Sequence, residues 1–172
     1  LAEGIFDRYN PEVIFGLHVT NSRHGHLGVL PGPAMAAASS YRITVNGVQA
    51  HGSRPWDSID PIMATAQLIE SLNTVVSRRI NIINNPAVIS VGMVQAGTRN
   101  NIIPDKSQIT GTIRTFDPDL RAEIYDEIRQ IARGVAEGTG TKVDVEFDVG
   151  GFYPVTFNLS LIHISEPTRP FH

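Results

Sequence analysis

Apolar residues change their spacing along this chain, and the changes mark its elements. PEVIFGLHV (11–19) is a short apolar run after a proline and predicts a buried strand. The stretch 20–37 is rich in Gly, Pro and small residues, carries no period, and predicts a loop or linker. In SSYRITVNG (39–47), Tyr41, Ile43 and Val45 fall on every second residue, the mark of a strand with one face inward. From 60 to 79 the spacing lengthens to three and four. Ile62, Ala66, Ile69, Leu72 and Val76 predict a helical apolar stripe, with Asp60 as N-cap and Pro61 at the first helical position. Arg78 and Arg79 suit the negative end of that helix. AVISVGMVQAG (87–97) and SQITGTIRTFD (107–117) predict two more strands. The link TRNNIIPDK is too short for a parallel crossover, so they should pair antiparallel. A second capped helix is predicted at 117–140, with Asp117, Pro118 and the stripe Leu120, Ile124, Ile128, Ile131 and Val135. TKVDVEFDV (141–149) then alternates as a last strand.

From 39 to 149 the order is strand, helix, strand, strand, helix, strand. This predicts an α+β fold of the ferredoxin-like βαββαβ type, a four-stranded antiparallel sheet with two helices on one face. The other face and one sheet edge are left for solvent or a partner. With 172 residues, 41% hydrophobic and 18% charged, the chain can bury one domain core. The net charge of -3 gives no basic surface for nucleic acid. No run approaches the roughly 18 apolar residues of a membrane-spanning helix, so no membrane partner is expected. The absence of cysteine excludes disulfides and thiolate metal sites. The compartment stays open, with a cytoplasmic location slightly favoured over export. The chain starts at Leu1 and reads as an interior piece of something longer.

Five strings narrow the function: VIFGLHV, AHGSRPWDSIDPI, NNIIPD, GTIRTFD and YPVTFN, in this order along residues 1–158. Together they resemble the dimetal aminoacylase and carboxypeptidase family, closest to bacterial N-acyl-amino-acid amidohydrolases akin to hippurate and indole-acetyl-amino-acid hydrolases. The resemblance implies an α/β catalytic domain interrupted by a ferredoxin-like lid that dimerises. On that pattern 1–37 ends the first catalytic segment, 38–150 is the lid, and 151–158 returns to the catalytic domain. The tail 159–172, LSLIHISEPTRPFH, leaves the pattern and resembles translated adapter read-through, so it is expected to be non-native.

The resemblance also implies site residues. His18, in FGLHV, would be a metal ligand; read alone, a histidine at a strand end is a core or edge residue satisfied by backbone. His51 would be a catalytic lid residue that reaches the other subunit's site and donates a hydrogen bond to the oxyanion. Read alone, it is a loop histidine. Asn101 and Arg114 would bind the substrate's carboxylate or polar backbone, and an arginine fork is suited to a carboxylate. The alternatives are a turn residue for Asn101, with Asn100 one register away, and a surface ladder pair for Arg114. Arg54, Pro55 and Trp56 should shape and anchor the His51 loop, and His24 and His26 read as solvated loop residues. The implied cofactors are two divalent metal ions (zinc, manganese or cobalt), bound mostly outside this stretch. The implied partners are a small N-acyl amino acid or peptide-like substrate and a second copy of the chain. The rival reading is a stand-alone ferredoxin-like dimerisation or ligand-sensing module without catalysis, which leaves VIFGLHV and YPVTFN unexplained.

Overall fold

A computed structural model of the chain describes residues 4–12, 16–21 and 23–158. A short exposed helix, α1 (Ile5–Tyr9), precedes an irregular stretch and then β1 (Gly32–Met35), β2 (Ala37–Asn46) and β3 (Ala50–His51). A 3-10 turn (Pro55–Asp57) leads to α2 (Pro61–Thr74), which continues as a π-helical turn (Val75–Arg79). Next come β4 (Ala87–Ala96), β5 (Ile102–Ile103), β6 (Lys106–Thr115), α3 (Pro118–Thr139), β7 (Lys142–Phe147) and β8 (Thr156–Asn158).

The main sheet runs β4-β6-β2-β7. Every neighbouring pair is antiparallel. Numbered by the four long strands alone, this is the order second, third, first, fourth: the ferredoxin-like topology expected from the element order. Alternation decides which face is covered. Tyr41, Ile43, Val45, Ile109 and Ile113 are buried with Leu68, Leu72 and Val75 of the first long helix and its π turn, and with Ile124, Ile128 and Ile131 of the second. The intervening residues of β2 and β6, such as Arg42, Thr110 and Arg114, belong to the opposite, helix-free face.

Both predicted caps form. Asp60 Oδ1 accepts from the backbone N–H of Ile62 at 2.7 Å and of Met63 at 3.4 Å. Asp117 Oδ1 accepts from Asp119 and Leu120. The stripe predicted for α3 is the buried one. The stripe predicted for α2 holds only in part: Leu72 is buried and Ile69 and Val76 pack against the core, but Ile62 and Ala66 do not. Its buried face is Pro61, Ala64, Thr65, Leu68 and Leu72, while Ile62 is 42% exposed and Ala66 is exposed. Apolar residues lie on several sides of this helix, so periodicity alone could not choose a face. A buried polar relay made the choice: Ser107 Oγ donates to Pro61 O at 3.1 Å and lies 2.6 Å from Thr65 Oγ1.

Two further expectations need correction. Of the strand predicted at 11–19, residues 13–15 lie outside the described residues, and 16–19 are irregular and exposed, with no sheet neighbour among the described residues. The predicted loop 20–37 contains β1, which pairs antiparallel with β8, so the segments before and after the main sheet run side by side as a ribbon. The tail 159–172 lies outside the described residues.

Candidate functional site

His51 sits on a loop pinned at both sides. Val48 and Ile59 exchange backbone hydrogen bonds across its base. β3 pairs with β5, setting His51 opposite Ile102 and Ala50 opposite Ile103. The next turn is tight: Arg54 N donates to His51 O at 2.8 Å, and Gly52 N donates to Asn101 O at 2.8 Å. A Cβ on Gly52 would stand 3.1 Å from Asn101 O, a tight contact that would push the two loops apart by a few tenths of an ångström. Arg54 clamps the loop through an ion pair with Asp57 at 2.7 Å. Trp56 does not anchor it, contrary to expectation, because its side chain is 75% exposed. A three-residue 3-10 turn on the outside of the loop gives an indole nothing to pack against.

The His51 ring is oriented by Ser53. Nδ1 accepts from the Ser53 backbone N–H at 3.2 Å and lies 2.8 Å from Ser53 Oγ. His18 has the opposite arrangement. Its Nδ1 lies 2.7 Å from Val19 O, and a carbonyl only accepts, so Nδ1 carries the proton and Nε2 keeps its lone pair. That is the form in which an imidazole binds a metal, with the second nitrogen donating to a carbonyl. Among the described residues, however, no group of three or more His, Asp or Glu side chains could hold a metal ion. The described residues therefore offer one suitable nitrogen and do not by themselves fit a dimetal centre. His24 and His26 are exposed in the irregular stretch.

The structure brings His51 and Asn101 to one end of the molecule and leaves Arg114 at the other. Asn101 is exposed and lies in the turn before β5, with a backbone that is not left-handed. Arg114 pairs with Ala38 and Val88, whereas the His51 loop leaves β2 beyond Asn46, opposite Lys106. The eight residue steps from Lys106 to Arg114, at about 3.3 Å each, span about 26 Å. Arg114 is exposed on the helix-free face, where Nη1 donates to Ile113 O at 3.1 Å and no described carboxylate pairs with it. It is thus not half of a charged ladder pair. Beside the His51 loop, Gly52, Ile62, Ala96, Gly97, Arg99 and Ile102 line a shallow open depression. Sequence reading singled out Ile62 only for the core and Arg99 not at all, because their shared position depends on how α2 and β4 meet.

Known proteins give this arrangement a context. The N-acetylcysteine deacetylase of Bacillus subtilis is 40% identical over 135 residues, covering 78% of this chain and 35% of that protein. The N-acyl-L-amino acid amidohydrolase of Geobacillus stearothermophilus is 35% identical, covering 81% and 38%. This chain thus spans less than half the length of these relatives. Among solved structures, a dinuclear metal binding peptidase of the M20 family from Bacillus subtilis aligns with TM-score 0.53 at 32% identity, covering 76% of this chain and 29% of that one. The profile of the peptidase dimerisation domain matches residues 36–139, the greater part of the chain, taking in both long helices and three of the four main-sheet strands, and the chain accordingly belongs to the peptidase dimerisation domain family of the M20 peptidases.

Proposed function

We propose that the chain is the lid and flanking pieces of a metal-dependent amidohydrolase that cleaves N-acyl amino acids or related short amides. Residues 38–150 would be the lid, with 1–37 and 151–158 belonging to the catalytic domain. The relatives support the reaction class: one is named a deacetylase of N-acetylcysteine, the other an N-acyl-L-amino acid amidohydrolase. Nothing favours the stand-alone sensing module. The metals, of which zinc, manganese and cobalt are the candidates, would be held chiefly by residues other than those described, so no step is routed through them. Of the chain's own residues, His18 would supply one ligand. His51 would donate to the oxyanion of the tetrahedral intermediate, and Asn101 and Arg114 would hold the polar end and carboxylate of the substrate.

The observation that carries this reading is the separation of Arg114 from His51 and Asn101. A small amide cannot bridge about 26 Å, the span of the strand between them. All three residues can serve one substrate only if two chains contribute. The site would then be shared, His51 and Asn101 coming from one lid and Arg114 from the other. The surface for that pairing would be β4 with α2. β4 is a sheet edge with Val88, Met93 and Val94 each about half exposed, and Ile62 and Met63 are exposed on the neighbouring helix. An apolar open edge invites strand pairing, whereas the other edge, β7, carries Lys142, Asp144 and Glu146.

Complementation in the full-length parent tests the shared site. His51→Ala should keep its fold and metal content but lose roughly a hundred- to a thousandfold in rate, the usual loss for one oxyanion donor. Mixed in equal amounts with inactive His18→Ala, it should regain roughly a quarter of wild-type activity, since half the dimers carry one intact site. No recovery, with subunit exchange verified, would place His51 in its own subunit's site.

A further inference from the structure

We propose that Ser53 is a positioning residue for His51, fixing the imidazole in the tautomer that carries its proton on Nε2. The inference rests on the reading of His51 as an oxyanion donor for its purpose, but not for its geometry. A backbone N–H can only donate. The Ser53 N–H lies 3.2 Å from His51 Nδ1, so Nδ1 must offer its lone pair, and the neutral ring then holds its proton on Nε2. The Ser53 hydroxyl, 2.8 Å from the same nitrogen, is a second group able to donate to it.

The local chain explains why this contact forms. Arg54 N bonded to His51 O closes a turn in which Gly52 and Ser53 are the central residues. Asparagine and aspartate at the first position of such a turn capture the N–H two residues on with Oδ1. Histidine Nδ1 is the same number of bonds from Cα as that oxygen, so the imidazole takes the same place. The Gly52 N–H bond to Asn101 O holds the turn against the neighbouring loop, so the ring is fixed to a backbone that is itself pinned. No described residue meets Nε2. The free nitrogen is therefore a donor held in advance of any ligand. The other tautomer would turn a lone pair toward a developing oxyanion and repel it. Preorganised donors are effective because they need no rearrangement as charge appears. His18, with Nδ1 on a carbonyl, leaves a lone pair on Nε2; the two histidines thus present opposite chemistry through the same ring atom.

Long-range proton–nitrogen correlation spectra of the 15N-labelled 172-residue chain test the proposal. They are recorded at about pH 8.5, some two units above the ordinary imidazole value. His51 should show one tautomer, with widely separated Nδ1 and Nε2 shifts and the proton on Nε2. The exposed His24 and His26 in the same spectrum supply the averaged reference. In Ser53→Pro, which removes both the N–H and the hydroxyl, the His51 separation should collapse to that of the reference. Ser53→Thr, which keeps both, should restore it. A wild-type His51 that is averaged like His24 and His26, or protonated on Nδ1, overturns the proposal, as does a Ser53→Pro spectrum that keeps the single tautomer. Should proline unfold the turn, seen as loss of Arg54 amide protection, the wild-type spectrum decides alone. The measurement needs neither substrate nor metal, so it can fail while the oxyanion role of His51 stands, and the reverse.

Discussion

Gly111 occupies the centre of β6 with Tyr41 on one side and Val91 on the other. Any side chain there would overlap Ser90 O and the Tyr41 ring. The hydroxyl end of the Tyr41 ring passes over the glycine and donates to Ser90 O at 3.2 Å. A backbone oxygen within a sheet ladder cannot step aside. Gly111→Ala should therefore cost about 2–3 kcal/mol, the upper part of the range for overpacked cores, read as a fall in urea midpoint at unchanged slope. A neutral result would show that Tyr41 can swing clear. Burial pushes the Tyr41 phenol up to about 12. In the unfolded chain it ionises near 10. The folded state thus holds the proton more tightly, and the stability this contributes is intact below about pH 10 and lost as pH rises toward 12. Stability measured across that window should fall more steeply for wild type than for Tyr41→Phe. Parallel curves would mean that the phenol is not the group responsible.

At the scale of elements, the two long helices begin with the same Asp-Pro device but do not depend on it equally. Asp60 Oδ1 caps α2 and makes no other side-chain bond. Asp117 caps α3 through Oδ1 while Oδ2 accepts from Asn85 Nδ2 at 2.8 Å, joining the helix start to the loop before β4. Loss of a cap costs about 1 kcal/mol. Asp60→Ala should show about that loss, and Asp117→Ala should exceed it by roughly 0.5–1.5 kcal/mol for the additional bond. Equal losses in thermal or urea unfolding would show that Asn85 finds water as readily as Asp117. The helix faces followed different rules. In α3 the charged residues leave a single apolar stripe, so its buried side was legible. In α2 the apolar residues surround the axis, and the contact of Thr65 with Ser107, which are far apart in sequence, selected the side.

At the scale of the molecule, the exposed residues of α2 and β4 matter more than the core. Ile62, Met63, Met93 and Val94 are among the exposed large apolar side chains. The two elements that carry them pack against each other. A family of dimerisation domains gives a natural occupant for such a surface, a second copy in twofold pairing. The chain should sediment as a concentration-dependent dimer. Val94→Lys, which places a charge on the open edge at a half-exposed position, should shift it toward monomer while the circular dichroism spectrum stays unchanged. Dimers that survive the lysine would move the interface elsewhere, to the helix-free face or the charged edge at β7.

The sequence by itself determined the element order, the antiparallel pairing of β4 with β6, both caps, the face of β2 and the face of α3. Each follows from local spacing or from a residue whose chemistry acts within a few positions. It also marked His18, His51, Asn101 and Arg114, though only through resemblance, because isolated polar residues have no period to read. Tertiary structure decided the rest. It rotated α2 so that Ile62 faces outward, left 16–19 irregular, formed the ribbon of β1 and β8, and exposed Trp56. It brought His51 beside Asn101 and left Arg114 about 26 Å up the strand. These outcomes depend on contacts between residues distant in sequence, and no pattern within a window of ten or twenty residues records which distant surface will be there to receive a side chain.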